Sequence, residues 1–155
     1  MKRYFAITLI LFTGCFSLAC KCGWNGNFIN VAPYEDLVIK AKVIGHSKIN
    51  SDIEEKMTIE VVKIFKGINK RKRITVIGDD GKSCRPYVST FKKGNTYYLG
   101  LQKVGNDYEI SVCGEYWLSI NEGKVKMAKN KSEDAEPKPM NEKEFEELLK
   151  AEIKQ

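Results

Sequence analysis

Apolar positions along the chain fall into short runs rich in valine and isoleucine, separated by glycine, asparagine and charged residues. Residues 36–45 (DLVIKAKVIG) predict a long strand entered from a turn or short helix at Pro33-Tyr34-Glu35, and residues 57–65 (MTIEVVKIF) predict a second. Strands at 74–77, 96–104 and 107–113 follow, with Gly105-Asn106 marking a tight hairpin between the last two. Residues 117–120 and 124–127 flank Asn121-Glu122-Gly123, a further hairpin signal. Near the C-terminus the period changes. Phe145, Leu148, Leu149 and Ile153 recur at helical spacing behind Asn141, a capping residue with Glu144 at the capping-box position. Five strands with flanking helices predict a mainly β fold: a small closed Greek-key barrel of the oligonucleotide/oligosaccharide-binding (OB) type. Residues 141–155 form a C-terminal amphipathic helix whose apolar stripe packs on the strands, and 129–140 form a polar, proline-bearing mobile linker.

At 155 residues the chain holds one domain, and 43% hydrophobic with 30% charged residues excludes disorder as its main state. The single histidine, His46, excludes any mechanism or metal site built on two imidazoles, which removes hydrolytic zinc enzymes; the chain is not read as an enzyme. Residues 1–19 read as a secretory signal peptide: Met1-Lys2-Arg3, an apolar run too short to span a bilayer, then small residues ending in Ser17-Leu18-Ala19. Cleavage after Ala19 starts the mature chain at Cys20 and places it in a secreted or periplasmic compartment. Two of the six net positive charges, Lys2 and Arg3, leave with the leader. A competing route is acylation at Cys15, where Phe12-Thr13-Gly14-Cys15 is similar to a bacterial lipobox.

Four cysteines remain after cleavage at Ala19: Cys20, Cys22, Cys84 and Cys113. An even count in an exported chain predicts two bridges, and a Cys20–Cys22 bridge is too strained to form, so two pairings stay open. Either one clamps the N-terminus to points deep in the chain. A four-thiolate zinc site is the rival, disfavoured because Cys84 and Cys113 do not form a close pair.

Cys20-Lys21-Cys22 at the mature terminus, the strand at 36–45, the segment KIFKG at 63–67, and Cys84 with Cys113 together resemble the tissue inhibitors of metalloproteinases and, more widely, the netrin-like domain. The resemblance covers roughly residues 20–114 and implies a netrin-like domain over 20–128. It also implies the pairing Cys20 with Cys84 and Cys22 with Cys113. In that family the first cysteine's amine and carbonyl oxygen chelate the catalytic zinc of a target protease, so the resemblance implies a zinc metalloprotease as partner and Cys20 as chelator. It implies no cofactor and no metal of the protein's own. Lys21 matches the residue that enters the protease's specificity pocket, and Lys82 and Ser83 match the second contact strip. Lys21 departs from the family's small or hydroxylated residue there, and an ammonium in an apolar pocket is costly unless paired. The third disulfide of the inhibitory domain and the cysteine-rich C-terminal region are absent from the sequence. A non-inhibitory binding module or envelope lipoprotein on the same barrel is the alternative.

The remaining features read conservatively. Lys70-Arg71-Lys72-Arg73 is first a solvated turn and second a surface for an anionic glycan or membrane, while export argues against nucleic acid. His46 is a surface or strand-end histidine. Asp79-Asp80 before Gly81 is a turn in preference to a calcium loop. Tyr97, Tyr98, Tyr108, Tyr116 and Trp117 are packing and rim aromatics. A monomer is expected.

Overall fold

A computed structural model describes residues 22–48, 55–80, 83–129 and 137–154. In chain order the elements are helix α1 (Phe28–Val31), strands β1 (Leu37–Ser47), β2 (Lys56–Lys66), β3 (Arg73–Ile77), β4 (Thr96–Val104), β5 (Asp107–Glu109), β6 (Trp117–Ser119), β7 (Lys124–Val125) and β8 (Met140–Asn141), and helix α2 (Glu142–Ile153). A 3₁₀ turn, Ala32–Tyr34, links α1 to β1 and carries Pro33 at its start. Another, Val88–Thr90, precedes β4.

Five strands close into a barrel in the order β1-β2-β3-β5-β4, with β4 returning to β1. All ladders are antiparallel except β3 with β5, where Val76 pairs Tyr108 and Ile77 pairs Glu109. This is a mainly β, OB-like barrel. Strand β1 makes the closure possible. Its ladder with β2 slips at Val38/Ile39, Lys40/Ala41 and Val43/Gly45, and each slip adds bend and twist, so the first half of β1 reaches β4 while Val38 to Ser47 pair β2. At the end of β2, Gly67 has a φ of +85°, and an added Cβ would lie 2.2 Å from the Asp36 carbonyl oxygen. Only glycine lets β2 turn this close to the start of β1.

Strand periodicity sorts the core into two layers. Leu37, Ile39, Ala41 and Val43 of β1 and Tyr97, Leu99 and Leu101 of β4 point into the barrel, joined by Met57, Ile59, Ile74 and Val76. Val38 and Tyr98 point the other way and meet Phe28, Ala32, Leu118, Val125, Phe145 and Leu149 in a second layer between the barrel wall and both helices. The unbroken apolar runs LVI and YYLGL follow from this, because those stretches are covered on both faces. The five aromatics read as packing residues are so placed: Tyr97, Tyr98, Tyr108 and Tyr116 are buried and Trp117 packs partly against the barrel core.

Three expectations need correction. The 129–140 linker is not mobile to its end, since Met140 and Asn141 form β8 and pair with Val125 and Lys124. The turn at Asn121–Lys124 forms, with reciprocal backbone bonds of 2.9 Å and Glu122 and Gly123 at positive φ, but no hairpin continues from it. Strand β6 pairs with β4 and β7 with β8. The expected strand at 107–113 ends at Glu109, where the chain leaves the ladder toward Cys84. The helix agrees with its sequence signals: Asn141 Oδ1 accepts from the Glu144 N–H at 2.9 Å, and Phe145 and Leu149 are fully buried, although Leu148 of the same stripe is 40% exposed.

Candidate functional site

The described N-terminal arm is fastened along one edge of the barrel. Cys22 is disulfide-bonded to Cys113 with the two Cα atoms 5.4 Å apart. Beyond it, the Asn25 N–H donates to the Cys113 carbonyl at 2.7 Å and the Glu115 N–H donates to the Gly26 carbonyl at 3.0 Å. Gly114 permits this approach, because a Cβ there would press on the Tyr116 ring at 3.0 Å and the Gly26 oxygen at 3.2 Å. The Asn25 amide donates to the Tyr116 hydroxyl at 2.9 Å.

Glu115 ties two distant segments to this edge, accepting from the Phe28 N–H at 3.1 Å and from the Ala128 N–H at 2.7 Å. Burial pushes its pKa above the ordinary 4.5, against the opposing pull of those two N–H groups. On the next layer Glu35 is only 2% exposed and its pKa is raised chiefly by burial, with the Gln102 amide at 3.4 Å pulling the other way.

The strip Ser83-Cys84-Arg85 lies beside the same edge, since the Val112 N–H donates to the Cys84 carbonyl at 3.3 Å. Cys84 is itself disulfide-bonded, so neither it nor the Cys22–Cys113 pair is available as a zinc thiolate. The Ser83 N–H is held by the Asp79 and Asp80 carboxylates, each at 3.1 Å, which makes that acidic pair a turn device. Arg85 donates to Ser83 Oγ at 2.7 Å and to Glu109 at 3.2 Å across a cleft of about 410 Å³ floored by Gln102. Thus Cys22, Ser83, Cys84 and Cys113 lie along one edge of the barrel. The expected leader, Cys15, Cys20, Lys21 and Lys82 lie outside the described residues.

Asn25, Arg85, Glu35 and Glu115 were not legible as members of this edge. Each belongs to an irregular stretch with no periodicity, and only the closed barrel brings them together. His46 sits near the end of β1. Among the described residues no three His, Cys, Asp or Glu side chains gather as a metal site.

A second charged constellation fixes the C-terminal helix. The Tyr98 hydroxyl lies 3.1 Å from both Glu142 and Glu146, donating its one proton to one of them, while Lys40 pairs with Glu142 and Lys63 with Glu146. Burial, then the charges of Glu146 and Glu142, hold the Tyr98 phenol far above its ordinary pKa of 10.0. For Glu146 burial acts upward, but the bonds from Lys63 and Tyr98 and the charges of Lys63 and Lys40 outweigh it and set the pKa below 4.5. A lowered carboxylate pKa contributes stability above the unfolded value and loses it as pH falls through the folded one. Glu146→Gln is therefore expected to cost on the order of 1 kcal/mol at neutral pH. Urea titrations of both chains between about pH 7 and about pH 3 check this, because the gap between them closes on acidification. Glu35 and Glu115 shift oppositely but are present in both chains and cancel.

The Cys22–Cys113 bridge points to an oxidising, non-cytoplasmic compartment. Among the described residues no helix is long and apolar enough to cross a membrane. No protein-family model and no curated protein matches the chain.

Proposed function

We propose that the protein is an exported inhibitor of zinc endopeptidases, related in design to the tissue inhibitors of metalloproteinases and their netrin-like domain. The first residue after processing, Cys20, supplies its α-amine and carbonyl oxygen to the target's catalytic zinc and displaces the hydrolytic water. One observation carries the reading: Cys22, bonded to Cys113, fixes the arm within reach of Ser83-Cys84, where a disulfide-bonded Cys84 provides the second anchor. The chemistry is coherent. A catalytic zinc keeps a position open, a neutral amine is a suitable borderline donor, and an α-amine with a reference pKa of about 8 is partly neutral near pH 7. Donor atoms held before binding lose less ordering entropy.

Lys21 and the strip at Lys82-Ser83 complete the contact. The Lys21 ammonium suits a target whose specificity pocket is acidic or open to water, and disfavours an apolar one. Deep apolar pockets are thus the wrong targets.

The test uses the protein exported and processed by its own cell. N-terminal sequencing is expected to read Cys20 first, and the protein is expected to inhibit a zinc endopeptidase from that cell on a fluorogenic peptide. Acetylating the α-amine, or adding one alanine before Cys20, is expected to abolish the inhibition. Inhibition that survives either change removes Cys20 as the ligand, and a diacylglyceryl mass at Cys15 with no inhibition returns the barrel to an envelope lipoprotein.

A further inference from the structure

Two loop tips of the barrel share one cleft, and their chemistry is not used by the inhibitory edge. The β2–β3 turn carries Ile68, Asn69 and Lys70-Arg71-Lys72, running into Arg73 at the start of β3; the β4–β5 hairpin carries Lys103, Val104 and Asn106. Arg71 fastens the tips together, donating to the Asn106 carbonyl at 2.7 Å with its guanidinium 6.0 Å from the Tyr108 ring centroid. Asn69 Oδ1 shapes the turn by accepting from the Arg71 N–H at 3.3 Å. Each tip exposes an aliphatic side chain beside its cations, Ile68 at 88% and Val104 at 42%.

The acids around the tips offset only part of this charge. Glu60 faces Lys72 at 3.4 Å and Arg73 at 3.6 Å, Asp107 is paired with Lys56 at 2.9 Å, and Asp36 accepts the Lys103 backbone N–H at 2.8 Å. Among the described residues neither Lys70 nor Lys103 is in an ion pair.

We propose that these two tips form a peripheral docking surface for an anionic lipid bilayer, with Ile68 and Val104 entering the headgroup boundary and Lys70, Arg71 and Lys103 facing lipid phosphates. Apolar area at the tip together with surrounding cations is the combination that binds an acidic bilayer, since each part adds to the other. A glycan fits less well. The cleft's one aromatic ring, Tyr108, is 5% exposed and lies under Arg71, so it offers no face for a sugar to stack on, and a fully hydrated glycan has no use for an exposed Ile68. This surface does not rest on the inhibitor reading, because none of its residues belongs to the edge around Cys22.

Co-sedimentation of the purified, disulfide-bonded protein with vesicles tests it, using phosphatidylcholine alone and phosphatidylcholine mixed with phosphatidylglycerol. Binding is expected to the mixed vesicles only, and to weaken as salt is raised. Lys70→Gln with Lys103→Gln is expected to weaken it about 25-fold, at about fivefold per charge. Ile68→Ser keeps every charge and is expected to weaken it about tenfold. Equal binding to both vesicle types, or no binding, overturns the proposal. So does an Ile68→Ser protein that binds like the parent while soluble dextran sulfate displaces both, an outcome that assigns the tips to an anionic glycan.

Discussion

Replacing Cys113 with serine is expected to cost the folded protein roughly 4–5 kcal/mol, the chain-entropy value for a loop of this size. The bridge to Cys22 spans 91 residues of sequence, so in its absence the unfolded chain regains the freedom of nearly the whole barrel. Cys22→Ser should cost the same within error, and the double variant no more than either alone, because all three remove one link. Urea titrations check this: the midpoint is expected to fall and the slope of free energy against urea to rise, because the unbridged unfolded chain is less compact. The arm does not fall away altogether. The bonds from Asn25 to Cys113 and from Phe28 to Glu115 remain, at 2.7 Å and 3.1 Å. If the protein is the proposed inhibitor, inhibition should therefore drop through lost positioning even under conditions where the barrel stays folded, and an inhibition constant that tracks only the folded fraction would deny the arm any positioning role.

How far the sequence could be read follows from which forces shaped each segment. Strands β1 and β4 were legible because runs covered on both faces leave a continuous apolar signal, with YYLGL the clearest, while β2 and β3 showed through their β-branched residues although only Met57, Ile59, Ile74 and Val76 of them are buried. Helix α2 announced itself through Asn141 and the spacing of Phe145 and Leu149. Helix α1 did not, since four residues capped by Asn27 are too short for a period of 3.6 to show. Strand β8 is two residues at the end of a polar proline-bearing stretch, and its pairing with β7 is dictated by where α2 docks, a tertiary fact. The cysteines were legible by count, and the Cys22–Cys113 pairing implied by the resemblance is the one formed. The groups that line the same edge were not legible. Glu115 looks like any surface glutamate in sequence, and its two backbone partners are 87 and 13 residues away. Arg85 and Glu109 likewise meet only because β5 runs parallel to β3.

Phe145→Ala is expected to lower stability by about 3–5 kcal/mol, the range for emptying a fully buried phenylalanine site. The ring is unexposed, with its centroid 4.7 Å from that of Tyr98 and 5.9 Å from that of Phe28, so it touches both the barrel wall and α1. Leu148→Ala, on the same helix but 40% exposed, should cost well under half as much, which separates burial from any effect of helix propensity. The loss at Phe145 need not be global. The barrel interior is a separate layer, so hydrogen exchange is expected to show α2, β8 and α1 losing protection while β1, β2 and β4 keep theirs. Exchange that accelerates uniformly through the barrel strands would mean that the two layers fold as one unit. If α1 alone loosens with α2, the N-terminal arm is steadied from two sides, by the Cys22–Cys113 bridge at one end and by the Phe28–Phe145 contact at the other. An alanine at Phe145 would then weaken the proposed inhibition from a position remote from Cys22, and the disulfide would be necessary for positioning the arm without being sufficient.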